Sequence, residues 1–312
     1  MFESCRDRQG SVMDKIVNDG AANLLSIAWD VTTTCNYDCW YCHPSLKDGK
    51  HRWPDHEAAL DFFNQLAQEK LIYLDLNGGE PTLWPKLPEF LRGLDPTIEV
   101  CITTNGSRSI RWWRENIEHI DGVSLSFHSS GADVDHFVSL IREIADREDK
   151  AVHVGIINDE KKRDVIERLY NLLNESGLKI SCNVRPLKNL IGSDDVESYS
   201  FDTDFISSHS FDRSIRYKNK HNTAYFNGVQ FKVPELRSLK KNTFKGWTCS
   251  IGNSRLYITA DGNIYRGTCR VGGKIGNLFV DTNLSLLEDV LCTRDECYCG
   301  DEITLKKYRS PQ

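Results

Sequence analysis

The sequence predicts an α/β fold in which a curved, mostly parallel sheet surrounds a polar lumen and a small cysteine-rich region follows it. Three observations carry this. Six apolar, β-branched segments alternate with helical patterns between residues 25 and 187, in units of about 30 residues, the size of a strand–helix crossover. Polar residues recur at every second position in several of those segments, although a flat sheet buried on both faces is apolar throughout. Eight of the eleven cysteines fall in two groups, at 35–42 and 249–299.

The strands read at LSIAWDVT (25–32), LIYLDLN (71–77), IEVCITT (98–104), GVSLSFH (122–128), AVHVGII (151–157) and KISCNV (179–184). Between them, residues 55–70 place Leu60, Phe63, Leu66 and Ala67 on one helical face. Residues 133–149 do the same with Val134, Phe137, Val138, Ile141 and Ala145. Residues 160–177 align Val165, Ile166, Leu169, Leu172 and Leu173 and stop at Gly177, a residue suited to the left-handed end of a helix. Shorter helices are expected near Trp84 and Ser109. Repeated strand–helix units imply right-handed crossovers and a parallel sheet.

The period of two sorts the strand residues by face. Ser124, Ser126 and His128 share one face, opposite Val123, Leu125 and Phe127. Ser181, Asn183 and Arg185 oppose Ile180, Cys182 and Val184. Asp75 with Asn77, Asp30 and His153 continue the polar set. These side chains are expected to face a common wet interior while the apolar set packs under the helices.

Composition narrows the class. The 312 residues, 39% of them hydrophobic, can bury a large core without covalent staples. With 39 basic and 45 acidic residues the net charge is -6, so no overall field favours nucleic acid, and the basic stretch 239–245 reads as a solvated loop. The N-terminus lacks the apolar core of a signal peptide, and no run reaches membrane-spanning length. A cytoplasmic protein with no membrane partner is expected, and in that reducing setting eleven cysteines argue for metal rather than a disulfide framework.

Residues 1–21 read as a tail, 22–190 as the repeat, 191–245 as a connecting region rich in Ser, Asp, Asn and Lys, and 246–312 as the cysteine-rich domain. In the last, Asp261-Gly262 between LYIT and NIYR signals a β-hairpin. A short helix is expected at LSLLEDVL (284–291), ahead of CTRDECYCGD.

Cys35, Cys39 and Cys42 follow the first strand within CNYDCWYC. Three thiolates cannot fill a tetrahedral zinc site without a fourth ligand, and His43, adjacent to Cys42, points away from its neighbour. Three cysteines on a cubic [4Fe-4S] cluster leave one iron open, where a small chelating molecule can bind.

CNYDCWYC resembles the CxxxCxφC signature of the radical S-adenosylmethionine (radical SAM) superfamily, with Tyr41 as the aromatic φ. The resemblance covers about residues 22–190 and implies a partial (β/α)6 TIM-like barrel. It implies a [4Fe-4S] cluster on Cys35, Cys39 and Cys42 whose open iron is chelated by SAM. One-electron reduction then yields a 5′-deoxyadenosyl radical that abstracts hydrogen from substrate. Gly78, Gly79, Glu80 and Pro81 resemble the family's GGE motif, whose backbone meets the SAM amino group. Thr103, Thr104, Asn105 and Gly106 resemble its TNG element, and Ser124 and Ser126 its ribose contacts. Tyr41 is expected beside the adenine and Arg185 on the SAM carboxylate. A reductant such as flavodoxin or ferredoxin is implied as partner.

The stretch from Cys249 through ITADGNIYRGTC to IGNL resembles the opening of a SPASM or twitch extension, which holds auxiliary iron–sulfur clusters. Five cysteines cannot supply two clusters, so one auxiliary [4Fe-4S] cluster is expected, on Cys249, Cys269, Cys297 and Cys299 with Cys292 as the alternate. The second cysteine comes later after Gly262 than is usual and the tail reads CxxxxCxC. A zinc ribbon on the same thiols is the competing reading. Cys101 and Cys182 read as small apolar core residues, and Cys5 has no assigned role.

Asp75, His128 and His153 are candidate bases on the lumen face. The polar lumen suggests hydrogen abstraction from a polar small-molecule intermediate, with a short peptide as the alternative substrate. The auxiliary cluster would assist oxidation or bond formation. A non-catalytic iron–sulfur carrier or regulator is the alternative of another class; it needs none of the SAM-binding elements.

Overall fold

In a computed structural model the described residues are 15–18, 23–187, 203–215, 223–280 and 288–309. They open with β1 (Lys15–Asn18) and β2 (Leu24–Thr32), then α1 (His56–Ala67), β3 (Leu71–Gly78), α2 (Leu87–Gly93), β4 (Glu99–Thr104) and α3 (Ile110–Asn116). β5 (Gly122–Phe127), α4 (Val134–Ala145), β6 (Ala151–Asn158), α5 (Arg163–Glu175) and β7 (Ser181–Pro186) complete the alternation. Then come α6 (Thr203–Ser208), β8 (Ser210–Asp212), β9 (Thr223–Phe226), β10 (Val229–Lys232) and α7 (Val233–Ser238). The described chain ends with β11 (Thr248–Cys249), β12 (Arg255–Ile258), β13 (Asn263–Tyr265), β14 (Lys274–Asn277), β15 (Val290–Leu291), α8 (Gly300–Ile303) and β16 (Lys307–Tyr308).

These elements fall into two units, one holding the described residues within Trp29–Phe63 and Leu74–Lys218, the other those within Met1–Ala28, Asn64–Tyr73 and Asn219–Gln312. In the first, the strands lie side by side in the order β2-β3-β4-β5-β6-β7-β8. The ladders from β4 to β7 are parallel and in sequence order, as crossovers through α3, α4 and α5 require, and β8 adds an antiparallel edge.

Local signals set the helix ends. Ser109 accepts the Trp112 N–H to start α3, and Asp133 accepts the His136 N–H at 2.7 Å to start α4. After α5, Gly177 takes φ +70, the left-handed turn that glycine enters without strain. Under α1 and α2, Trp29, Phe63, Trp84 and Phe90 form one aromatic core with ring centroids 5.3–6.0 Å apart. Each such buried ring stabilises the fold by roughly 1.5–3 kcal/mol.

The alternation expected of the strands is observed. In β5, Val123, Leu125 and Phe127 are fully buried while Ser124 and Ser126 are half-buried, and β7 alternates in the same way from Ser181 to Arg185. Asp75, Asn77 and His153 also sit on the less buried face. Cys101 and Cys182 are buried as expected.

In the other unit a six-stranded sheet runs β10-β9-β1-β16-β11-β15. Its core joins Ile16, Ala224, Leu236, Phe244, Trp247 and Ile303. The hairpin at Asp261-Gly262 forms: Tyr257 pairs with Tyr265 and Ile258 with Ile264, and Gly262 takes φ +80.

Two expectations need correction. Residues 15–18, taken as tail, form a strand paired with β9 and β16. Leu284–Leu287 of the expected helix lie outside the described residues, but its last residues, Val290 and Leu291, pair antiparallel with β11. Strand pairing with Cys249 and Thr248 outweighs the helical spacing of so short a segment. Cys5 also lies outside the described residues.

Candidate active site

The cysteine loop is fixed at both ends by its backbone. Past β2, Thr32 O accepts Gly79 N–H and Thr34 O accepts Glu80 N–H, each at 2.8 Å, so the loop is sewn to the end of β3. On its other side Thr33 N–H donates to His51 O, and Thr33 O accepts Gly49 N–H. A Cβ on Gly79 would lie 2.3 Å from Thr34 O, and one on Gly78, at φ +111, 2.5 Å from Thr32 O. The two glycines are required by this close backbone approach.

That clamp presents Cys35, Cys39 and Cys42 to one cavity of about 770 Å³, counting its open mouth. Tyr37, Tyr41, Gly78, Gly79, Thr104, Asn105, Ser126 and His128 share its wall. Ser124, Arg185, Asp75 and His153 do not line it. Glu80 lies beneath the wall, fully buried, with Oε1 accepting from Thr82 N, Thr82 Oγ1 and Thr104 Oγ1 and Oε2 accepting from Asn105 N. Burial pushes its carboxyl up, and these donors pull against that shift.

The sulfurs receive donors. Tyr37 N–H lies 3.4 Å from Cys35 Sγ, Asn105 Nδ2 3.9 Å from the same atom, and Ser130 Oγ 3.6 Å from Cys39 Sγ. Such hydrogen bonds stabilise ligated thiolates and tune the potential of a cluster. As free thiols Cys35 and Cys42 are pushed up by burial, Cys42 to about 11, so a metal must displace their protons. Among the described residues no three Cys, His, Asp or Glu side chains close on one ion position. A cube takes each thiolate on a different iron. The donor set fits an iron–sulfur cluster with one open corner. His43 is engaged locally, its Nδ1 2.6 Å from Ser45 Oγ.

Two histidine networks lie on the less buried face of the strands, the first of them in the cavity wall itself. Tyr41 OH lies 2.7 Å from His128 Nδ1, with the rings stacked at 5.8 Å. Burial, and then the charge of Arg185, hold His128 down at about 4, so it is neutral at pH 7. Arg185 donates through Nη2 to His153 Nε2, and His153 Nδ1 lies 2.7 Å from Ser181 Oγ. Arginine only donates, so Nε2 is the acceptor and Nδ1 carries the proton. Asp75 Oδ1 is buried without a hydrogen-bond partner.

In the other unit, Cys249 and Cys269 pack with Ile251, Val271 and Leu305, while Cys292 and Cys297 pack on the core around Phe244 and Trp247. Cys299 precedes α8. Burial pushes the thiols of Cys249, Cys269, Cys297 and Cys299 up, Cys269 to about 12, and the Glu302 carboxyl adds to the shift of all four. Cys249 acts electrostatically on Cys269 and Cys297, Cys299 on Cys297, and Cys292 on Cys249.

A family model described as the Radical SAM superfamily matches residues 29–187. The chain belongs to the radical SAM superfamily. It is thus an enzyme of radical-mediated type, in a family defined by a [4Fe-4S] cluster and SAM. The chain is similar to a probable GTP 3′,8-cyclase of Archaeoglobus fulgidus, 25% identical over 75% of this chain and 82% of that protein. A GTP 3′,8-cyclase of Nautilia profundicola is 24% identical over 75% of this chain and 70% of its own length. Among solved structures, Streptococcus suis SuiB bound to S-adenosylmethionine shares the fold, with TM-score 0.56 and 14% identity over 84% of this chain and 64% of that one.

Two residues beside the thiols of this radical SAM enzyme escape the signature, Tyr37 in the cavity wall and Ser130 on Cys39. Tyr37 packs its ring on Gly131, where a Cβ would meet it at 3.0 Å, and its hydroxyl is pushed up to about 12 by burial. Ser130 reaches Cys39 from the loop after β5. Tyr37 lies within the motif at a position it leaves open. Ser130 gives no sequence signal, because its role comes from loop geometry.

Proposed function

We propose that this radical SAM enzyme abstracts hydrogen from a polar small-molecule biosynthetic intermediate held in the lumen of a partial (β/α)6 barrel. The single observation that carries the reading is the shared cavity of Cys35, Cys39 and Cys42 with Gly78, Gly79, Thr104 and Asn105. In this reading the three cysteines hold a [4Fe-4S] cluster. With SAM bound, such a cluster would supply the one electron that cleaves the C5′–S bond of SAM to methionine and a 5′-deoxyadenosyl radical.

The chain's own residues do the rest. The backbone at Gly78 and Gly79 receives the amino end of SAM, Asn105 and Ser126 take its polar edges, and Tyr41, held upright by His128, flanks the adenine. Glu80 fixes the wall without spending an oxygen on ligand. The apolar rings of Tyr37 and Tyr41 exclude water, which a reactive radical demands. Asp75, whose buried Oδ1 lacks a hydrogen-bond partner, is assigned as the acceptor for a proton lost by substrate. His153 has both ring nitrogens engaged and orients its neighbours instead.

Cys249, Cys269, Cys297 and Cys299 are assigned to one auxiliary [4Fe-4S] cluster of twitch type, Cys292 being the alternate, and a cytoplasmic ferredoxin or flavodoxin serves as reductant. The GTP 3′,8-cyclase relatives favour a small molecule, a purine nucleotide among them.

The test is anaerobic turnover with SAM and dithionite. Release of 5′-deoxyadenosine and methionine is expected, with deuterium carried into 5′-deoxyadenosine from one member of a labelled metabolite panel that includes nucleotides. No SAM cleavage by the iron-loaded enzyme overturns the reading. Label transfer from a peptide alone replaces the substrate class.

A further inference from the structure

Arg185 is a largely buried cation with no paired anion among the described residues. Its Cα pairs with Ile157 of β6, yet its side chain folds back toward the N-terminal ends of the strands. A Cβ on Gly155 would lie 2.8 Å from the guanidinium Cζ and Nε, and Nη2 reaches His153. Nε donates to Asn183 Oδ1 at 3.2 Å. Both partners are neutral, and no carboxylate among the described residues pairs with Arg185. A guanidinium keeps its proton and offers five donors in a fork, of which these two bonds use only part. A charge withdrawn from water in this way is stabilised by pairing.

The surroundings are built to leave that place open. Gly155 lies level with Ser126 and Asn183, and His153 level with Ser124 and Ser181. A side chain at 155 would occupy the ground on which the guanidinium lies. The group is absent from the wall of the thiol cavity, so an anion that meets it enters with a molecule occupying the lumen rather than with one held at the thiols. The charge of Arg185 nonetheless acts on His128, a residue of the cavity wall.

We infer that Arg185, seated over Gly155 and steadied by His153 and Asn183, is the subsite for an oxyanion of the substrate, a carboxylate or a phosphate. The fork would bind it through paired charge-assisted hydrogen bonds and so fix which carbon faces the cavity. This rests on the lumen being the substrate site, as proposed above.

The test uses the iron-loaded enzyme with SAM present and titrates inorganic phosphate and acetate in separate arms, read by calorimetry. SAM affinity and SAM cleavage are measured on the same preparations, so failure of the radical SAM reading appears as lost cleavage in the wild type. Saturable binding of one of the two anions is expected. Arg185→Gln should weaken it about tenfold or more while SAM affinity stays within about twofold. Gly155→Ala, which leaves the charge in the chain but displaces the guanidinium, should produce the same loss and serves as the readout if Arg185→Gln does not fold. Equal anion affinity in wild type and variants, or no saturable binding to the wild type, overturns the proposal. So does a tenfold loss of SAM affinity in Arg185→Gln, which would assign the guanidinium to the SAM carboxylate.

Discussion

The backbone N–H of Asn105 donates to Glu80 Oε2 at 2.7 Å, joining the end of β4 to the end of β3 where both residues are buried. Three further donors, from Thr82 and Thr104, converge on Oε1. Glu80→Gln turns one acceptor oxygen into an amide donor, so at least one buried N–H or O–H loses its partner. Destabilisation of about 1–3 kcal/mol is expected, with weaker SAM binding because Gly79 and Asn105 are no longer held together. Urea unfolding and equilibrium dialysis measure the two effects. An unchanged unfolding midpoint would remove Glu80 from the role of clamp.

Gly79→Ala tests the same seam from its backbone side. The new Cβ meets Thr34 O at 2.3 Å, a clash with main chain that no rotamer relieves. A loss of about 3 kcal/mol or more is expected, together with loss of iron from the first cluster, since the clamp and Cys35 share Thr34. Gly177→Ala is the control: a Cβ there meets nothing within 4 Å, so its cost is confined to the strained left-handed φ. Iron content should stay at the wild-type level.

His128 gives stability a pH dependence. Its folded-state value lies near 4 against an ordinary 6.5, chiefly through burial, so the folded protein binds fewer protons than the unfolded chain. The stabilisation is complete above about pH 6.5 and is lost as the pH falls toward 4. Between pH 7 and pH 5 the loss is on the order of 2 kcal/mol. His128→Gln keeps an acceptor for Tyr41 OH without titrating. Denaturation at both pH values should show a smaller drop for the variant than for the wild type, and equal drops would exclude His128 as the cause.

Much of the first unit was legible because its signals are local or periodic. The β-branched runs, the alternation of Ser124 with Leu125, and Gly177 all report on neighbours a few residues away. The cysteine loop was legible because its spacing is itself the chemistry. β1 was not: Ile16 pairs with Phe226 and Lys307, partners 210 and 291 residues distant, and four residues carry too little pattern to reveal them. The direction of Arg185 was equally hidden. Period two set its face, but the turn of its side chain toward His153 depends on the missing side chain at Gly155 in the neighbouring strand.

The cysteine assignments divide by iron count. Two [4Fe-4S] clusters give about eight irons per chain. Cys35→Ala with Cys39→Ala and Cys42→Ala should leave about four and abolish SAM cleavage. Single Cys→Ser changes at Cys249, Cys269, Cys297 and Cys299 should each lower the remaining iron, whereas Cys292→Ser should not. Cys292 Sγ is already turned to Arg294 O at 3.8 Å. Iron lost from Cys292→Ser but retained in one of the other four would exchange those two ligands. Zinc in place of the second cluster would end the twitch assignment.

Lys307 would bear on the electronics of the proposed auxiliary cluster. Its ammonium is 1% exposed, donates to the carbonyls of Glu302, Ile303 and Leu305, and lies 4.8 Å from the Phe244 ring. Among the described residues no carboxylate pairs with it, yet its charge acts on Cys249 and Cys297. Four thiolates around an iron–sulfur cube carry net negative charge, which this cation would offset in a medium where charges interact strongly. Adding an electron to the cube is easier beside a fixed positive charge. Lys307→Met, similar in length and neutral, should therefore shift the auxiliary midpoint to lower potential in a redox titration followed by electron paramagnetic resonance. The first cluster's signal and the iron content should stay as in the wild type. An auxiliary potential that does not move while its iron is retained would show that the cation serves only to bind the carbonyls at the end of α8.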